Sequence, residues 1–304
     1  MNKLKNFLDF VEMRTKIASV LPFFVGTGYF MYRYRELDVY KTILFFGAML
    51  LFDMTATAIN NHVGTRQQSK KNNYSDGLSV AIILLMLAGA SVLGIYLAYI
   101  TNLVVLLTGI FCFGIGILYS FGPLPISRTP FGEIFSGIVM GTCIPFLVSI
   151  INDPTLLTLE LDLPKVFISM NVWDLFCLGV VVLPLICCIS NIMLANNICD
   201  VEEDIKVKRF TLPYYIGKEY ALKLFGVLYA GAFFFILAGV VIRILPLTAL
   251  IGFAGVVPVF KNIKVFQEQQ IKEKTFGVAI KNFLLITVPY MAGIWLSVLL
   301  HIIF

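Results

Sequence analysis

The chain has 304 residues, 59% of them hydrophobic and 13% charged, with a formal net charge of +5 and a mean hydropathy of +0.90. So little polar surface cannot coat a water-soluble globule. A disulfide scaffold, a disordered chain and a soluble nucleic-acid binder are excluded, the last because the basic residues spread along the chain instead of forming one face. A multi-pass membrane protein remains.

A helix needs about 20 apolar residues to cross a bilayer. Windows of that kind lie at about 15–33, 40–61, 78–100, 102–122, 131–151, 173–198, 219–242, 244–262 and 281–303. They predict an all-α integral membrane bundle of nine crossings around a central cavity. Residues 1–304 read as one domain, since no repeat or Ser/Gly-rich linker divides them. The N-terminus has neither a signal-peptide core nor the look of a transit peptide, so the first span is expected to stay in the mature protein. Lys and Arg segregate between the windows. Eighteen fall on the side of the N-terminus, and five (Arg33, Arg35, Lys41, Lys165, Arg243) on the other. The positive-inside rule then puts the N-terminus in the cytoplasm and the C-terminus outside, in a cell membrane. The six cysteines lie in or beside apolar runs without metal-ligand spacing and read as small hydrophobes. Gly137 and Gly141 form a small-xxx-small pair, a hint of close helix contact.

Two polar clusters interrupt this pattern. The run NIMLANNICDVEEDIKVKRFTLP closes the sixth window. Its Asn196, Asp200 and Asp204 recur every four residues and form one helical stripe over two turns. One amide and two carboxylates suit Mg²⁺, which is usually held by few carboxylates plus water and substrate phosphate. Lys206, Lys208 and Arg209 follow at once. A solvated charged loop is the other reading of such a run. The second cluster, FDMTATAINNHVGTRQQSKKNNYSDG, closes the second window. Asp53, Asn60, Asn61 and Gly64 lie near one face, and Arg66, Lys70 and Lys71 extend the charge. Asp53 sits within an apolar run, where an unpaired carboxylate is costly, so it should face the bundle interior. These two helix ends share a membrane side and are expected to face each other, gripping a Mg²⁺-bound diphosphate above an apolar tunnel. With 27 Phe and 13 Tyr, aromatic faces are available to stabilise an allylic cation.

Four segments carry a family likeness: MRTKIASVLPFFVGTGY (13–29), the NN of Asn60 and Asn61, YSFGPLPISRTPFGE (119–133) and NNICDVEEDIKVKRFTLPYYIG (196–217). In content and order they resemble the UbiA superfamily of intramembrane prenyltransferases, in particular the branch acting on 1,4-dihydroxy-2-naphthoate in menaquinone biosynthesis. The resemblance implies transfer of a polyprenyl group from its diphosphate to that aromatic acceptor, giving demethylmenaquinone with loss of CO₂. It implies Mg²⁺ held by Asp200, Asp204, Asn196 and Asn61, with Asn60 assisting. Arg66, Lys70, Lys71 and Arg209 would meet the diphosphate. Tyr119 would contact the acceptor, and Arg14 and Lys16 are candidates for its carboxylate, Arg because its paired donors match one. The expected partners are these two substrates and the bilayer, with no nucleic acid. Two departures from the family pattern stand out. Gly64 occupies the place of the acid in the first motif's N-x-x-D, and Lys208 and Arg209 replace a common Gly and Lys. A weakly active lipid-diphosphate binder is the alternative that Gly64 suggests. A transporter is the other, although its charges are expected near the midplane of repeated halves.

Overall fold

The computed structural model describes residues 3–68, 74–123, 125–162 and 164–303, with side chains for 4–63 and from 74 onward. Helix α1 (Lys3–Phe10) and a 3₁₀ turn (Met13–Lys16) lead into α2 (Ile17–Tyr34), α3 (Val39–Gln68), α4 (Asp76–Tyr99) and α5 (Leu103–Ser120). Next come α6 (Gly132–Ile138), a π turn (Val139–Cys143) and α7 (Ile144–Asn152). A hairpin, β1 (Leu157–Asp162) and β2 (Lys165–Met170), precedes α8 (Val172–Lys206). The chain ends with α9 (Leu212–Ile216), α10 (Lys218–Val241), a 3₁₀ segment (Leu247–Gly255), α11 (Val256–Glu268) and α12 (Gly277–Ile303).

Among the described residues, eight helical segments are long and apolar enough to cross a membrane. They match eight of the nine windows within a few residues at most ends; the span ending at Glu268 runs six residues past its window, and α8 runs on to Lys206, a full two turns past its own. The window at 15–33 corresponds to α2, which ends in Tyr32-Arg33-Tyr34 and is not among those eight. The ninth crossing therefore rests on α2. The β-hairpin is an element the windows did not anticipate. Leu157 pairs with Met170 and Asp162 with Lys165 in an antiparallel register, and the alternating L-T-L-E-L-D of β1 is the period-2 signal for it.

The chain divides into two compact units: Met1–Val20, Asp38–Pro125 and Leu147–Asn171 in the first, Leu21–Leu37, Ile126–Phe146 and Val172–Phe304 in the second. In the first, α3, α4 and α5 pack on one another. Phe10 and Val11 of the N-terminal arm bury against Ala58, Ile83 and Met86. The outward residues of α4 are also apolar: Leu85, Val92 and Ile95 are all exposed. A helix apolar all round but buried on only one side is covered by lipid on the other.

In the second unit α8 is the axis against which α6, α10 and α12 pack. Gly137 and Gly141 sit against Ile186 and Ser190 of α8, so close that an added Cβ would collide with Ser190 Oγ and with Ile186 backbone. The expected small-residue contact is thus between α6 with its π turn and α8. Phe225, Tyr229, Phe266, Phe283 and Tyr290 fill the core among α8, α10, α11 and α12. Pro184 interrupts α8, and in the adjoining turn the Val181 carbonyl accepts from the Tyr290 hydroxyl at 3.0 Å. Neighbouring side chains commonly satisfy the backbone that a membrane-helix proline disturbs.

Candidate active site

The cytoplasm-predicted end of α8 carries a buried polar network. Asp200 and Asp204 are 7% and 5% exposed, while Glu202 and Glu203 between them face out. The helix then stops with Lys208 in the left-handed region (φ +56°). That residue reverses the chain, so that Arg209 N donates to the Asp204 carbonyl at 2.8 Å. This is a residue's work at the position past a helix end where glycine is favoured, which is where the family pattern commonly has Gly. The reversal also turns the Arg209 guanidinium back onto α8. Its Nη1 donates to Asp204 Oδ1 at 3.3 Å, its Nη2 to Asn197 Oδ1 at 3.1 Å, and its Nε to the Ser127 carbonyl at 2.8 Å. Three acceptors in diverging directions are a task for the planar fork of Arg, not for one ammonium.

Asn197 links this clamp to α6. Its Nδ2 donates to Glu133 Oε1 at 2.8 Å, and both residues are almost wholly buried. The Glu133 carbonyl accepts from Ser136 and Ser190 hydroxyls, each at 3.0 Å. Lys272, in the segment before α12, pairs with Asp200 Oδ2. The order Glu133–Asn197–Arg209–Asp204 is a continuous chain of charge-assisted bonds. In a poorly hydrated site such a chain rigidifies what it connects.

The sequence pattern chose Asn196, whose half-buried amide donates to Asn197 Oδ1 at a long 3.4 Å. Helix geometry explains why Asn197 holds the network. Seven residues turn by about 700°, leaving Asn197 about 20° from Asp204, whereas Asn196 is about 80° away. Glu133, Asn197 and Lys272 were not assigned a role from sequence. The signal for Glu133 was present, since a carboxylate at the start of an apolar window requires a partner. Lys272 had none, being one lysine in a basic loop.

In the first unit Asn60 is exposed near the end of α3 and its Oδ1 accepts from Ser120 Oγ at 3.2 Å. Asn61 Nδ2 donates to the Phe10 carbonyl at 3.0 Å. Arg66 lies in α3 but its side chain, with Lys70 and Lys71 altogether, falls outside the described residues. Tyr119 is half-buried at the end of α5. Lys16 is buried, and its Nζ donates to Asp53 Oδ1 (2.7 Å), the Asp53 carbonyl (3.1 Å) and Thr57 Oγ1 (2.5 Å). Ser19 Oγ donates to Asp53 Oδ2 at 2.5 Å. Asp53 therefore has the interior pairing its position demanded. Two of the Lys16 bonds go to Asp53 and one to Thr57, which leaves exposed Arg14 as the member of that pair with donors to offer a substrate.

The acidic network fits a hard divalent cation. Its donors are all oxygen, and Asp204 Oδ2 is buried without a hydrogen-bond partner among the described residues, as is Glu133 Oε2. Among the described residues no three His, Cys, Asp or Glu side chains converge. The protein would thus supply two carboxylates, the sparse set that Mg²⁺ takes when phosphate and water complete its shell.

The model of the UbiA prenyltransferase family matches residues 19–299. The chain belongs to the UbiA prenyltransferase family. A 1,4-dihydroxy-2-naphthoate octaprenyltransferase of Bacillus subtilis (strain 168) is 31% identical over 243 residues, 75% of this chain and 71% of that protein. Two solved structures have the same fold. One is an apo UbiA homologue from Aeropyrum pernix K1, with TM-score 0.65, 18% identity, and cover of 95% of this chain and 98% of that one. The other is a UbiA homologue from Archaeoglobus fulgidus bound to GPP and Mg²⁺, with TM-score 0.60, 14% identity, and cover of 96% and 99%. This family member is thus a multi-pass, mostly helical prenyltransferase.

Proposed function

We propose that this family member transfers a polyprenyl group from its diphosphate to 1,4-dihydroxy-2-naphthoate. The observation that carries the reading is the buried Asp200/Asp204 pair with its Arg209 and Lys272 counter-charges, in a chain with a naphthoate prenyltransferase among its relatives. Residues 1–304 act as one catalytic domain, with the N-terminus in the cytoplasm and the C-terminus outside, as the Lys and Arg segregation supports.

Asp200 and Asp204, with Asn196, would hold Mg²⁺, and the cation would neutralise charge on the departing diphosphate. The protein's own part is electrostatic and positional. Arg209, held by Ser127 and Asn197, keeps a fixed positive charge beside Asp204, and Lys272 supplies a second, half-exposed one beside Asp200. As the allylic C–O bond breaks, its electron pair leaves with the diphosphate oxygen. An electron-rich ring carbon of the acceptor then forms the new C–C bond, and the carboxyl at that carbon departs as CO₂. Arg14 binds that carboxylate beforehand, and Tyr119 contacts the ring. By the family resemblance, Asn60 and Asn61 would offer side-chain oxygens to a cation, and Arg66, Lys70 and Lys71 charge to a diphosphate.

The test is transfer by the purified chain, with radiolabelled polyprenyl diphosphate and two acceptors in parallel, 1,4-dihydroxy-2-naphthoate and 4-hydroxybenzoate. A prenylated product from the naphthoate alone, lost on chelation of Mg²⁺, is expected. Product from the benzoate alone would replace the acceptor, and no product from either would reject the reading.

A further inference from the structure

The other end of the second unit holds a pocket that the prenyl-transfer reading does not use. It has a volume of about 190 Å³ and is lined by Arg33, Arg35 and Arg243 together with His301, Tyr32 and Trp173. Cys177, also in its wall, lies 27 residues before Asp204 on α8, roughly 40 Å along a straight helix. The two sites are therefore at opposite ends of one rod. Five Lys and Arg residues fall on this side of the sequence map, and three of them converge on this pocket. A side poor in basic residues has concentrated them.

Their local states differ. Arg33 is neutralised by Asp174, with Nη2 to Oδ1 at 3.2 Å. Arg35 and Arg243 have no carboxylate partner among the described residues. Both have left-handed backbones, φ +60° and +61°, just past the ends of α2 and α10. Glycine takes that conformation without steric strain, and a strained residue kept at a site is a pointer to use. Two unpaired guanidiniums, with His301 stacked on Tyr32 at 6.3 Å between ring centroids, make a concave cationic surface. Its size suits one phosphate group, and Arg binds phosphate with paired donors.

The rim decides the source of the phosphate. Val241 and Ile242 run directly into Arg243, Ile302 and Ile303 follow His301, and all four are exposed. Trp173, 58% exposed, is the second residue of α8, and tryptophan is enriched where membrane helices meet the interface. Apolar surface flanking a phosphate-sized cationic cup suits acyl chains flanking a headgroup. We propose that this pocket is a binding site for the phosphate of an anionic phospholipid headgroup, with Arg35 and Arg243 as its principal contacts.

The experiment titrates the purified full chain in detergent with phosphatidylglycerol or phosphatidylcholine and counts bound lipid by native mass spectrometry. A third arm uses millimolar inorganic phosphate and reads thermal unfolding. The variant is Arg35→Gly/Arg243→Gly, which removes both charges at positions where glycine is conformationally at ease. Lys261→Gln/Lys264→Gln is the control for non-specific charge. At roughly fivefold per basic residue near an anionic lipid, the Arg variant should lose about 30-fold in phosphatidylglycerol affinity. Phosphatidylcholine binding and the control should be unchanged. Equal loss in both variants, or none in the Arg variant, would overturn the proposal. So would a phosphate-induced stabilisation that the Arg variant abolishes while lipid binding persists, since free phosphate would then be the occupant. If the Arg variant changes thermal stability alone, the two arginines serve only the negative ends of their helices, and the lipid site is refuted.

Discussion

Replacing Asn197 by leucine, a side chain of similar size, removes the joint between Glu133 and Arg209 without changing the packing volume. The asparagine is 1% exposed. It gives a 2.8 Å bond to Glu133 Oε1 and receives a 3.1 Å bond from Arg209 Nη2. Glu133 Oε2 already has no partner, so the leucine variant leaves the whole buried carboxylate unsatisfied. Hydrogen bonds to charged groups are worth about 1.5–3 kcal/mol, and an abandoned buried acceptor bears the full cost of its desolvation. Arg209 is half-buried and can turn to water, so its loss is smaller. The sum is about 3 kcal/mol, which at roughly 2–4 °C per kcal/mol for a large domain lowers the unfolding temperature by about 6–12 °C. The assay is thermal unfolding of purified protein in detergent, followed by tryptophan fluorescence. Removing both partners costs far less than removing one, so Glu133→Leu/Asn197→Leu should recover most of the loss. An Asn197→Leu protein that melts like the parent, or a double variant no better than the single one, would refute the network.

Lys16→Met strands Asp53 in the first unit and should cost about 3–5 kcal/mol, with Lys16→Met/Asp53→Leu regaining most of it, both read as unfolding temperatures. Lys208→Gly relieves the left-handed backbone, a gain of about 1–2 kcal/mol set against about 0.5–1 kcal/mol of glycine entropy. The unfolding temperature should rise by a degree or two. Gly137→Val drives a side chain into Ser190 and Ile186 of α8, and overpacking of about 1–3 kcal/mol should appear as a lower unfolding temperature. Arg209→Gln removes one preorganised cationic donor from the diphosphate and should lower kcat by about 10²–10³-fold, and because it also strands the buried Asp204 carboxylate the unfolding temperature should fall as well.

Most of the fold was legible because lipid imposes one rule on every crossing: a long apolar run whose backbone bonds to itself. The helical windows follow from that rule directly. The hairpin escaped because its exposed, apolar β2 resembles a stretch of interfacial chain when only helix-length windows are counted. Within the site, Asp200, Asp204 and Arg209 were readable as charges closing a membrane helix. Asn197 was displaced by its neighbour because a spacing of four drifts by about 40° per step, and over two steps the drift exceeds the width of a side chain. The Lys16–Asp53 pair joins a turn to a helix 37 residues on, and the Lys272–Asp200 pair spans 72. No local pattern encodes such contacts. Lys208 was visible as a departure from the family's glycine, but its meaning required the sign of φ.

Prenyl transfer by the Asp200→Ala protein tests the account most directly, measured over a Mg²⁺ titration with radiolabelled polyprenyl diphosphate and 1,4-dihydroxy-2-naphthoate. A folded Asp200→Ala protein that forms no product at any Mg²⁺ concentration, beside an active parent, is the predicted result. Turnover equal to the parent's, with the same Mg²⁺ dependence, would contradict it.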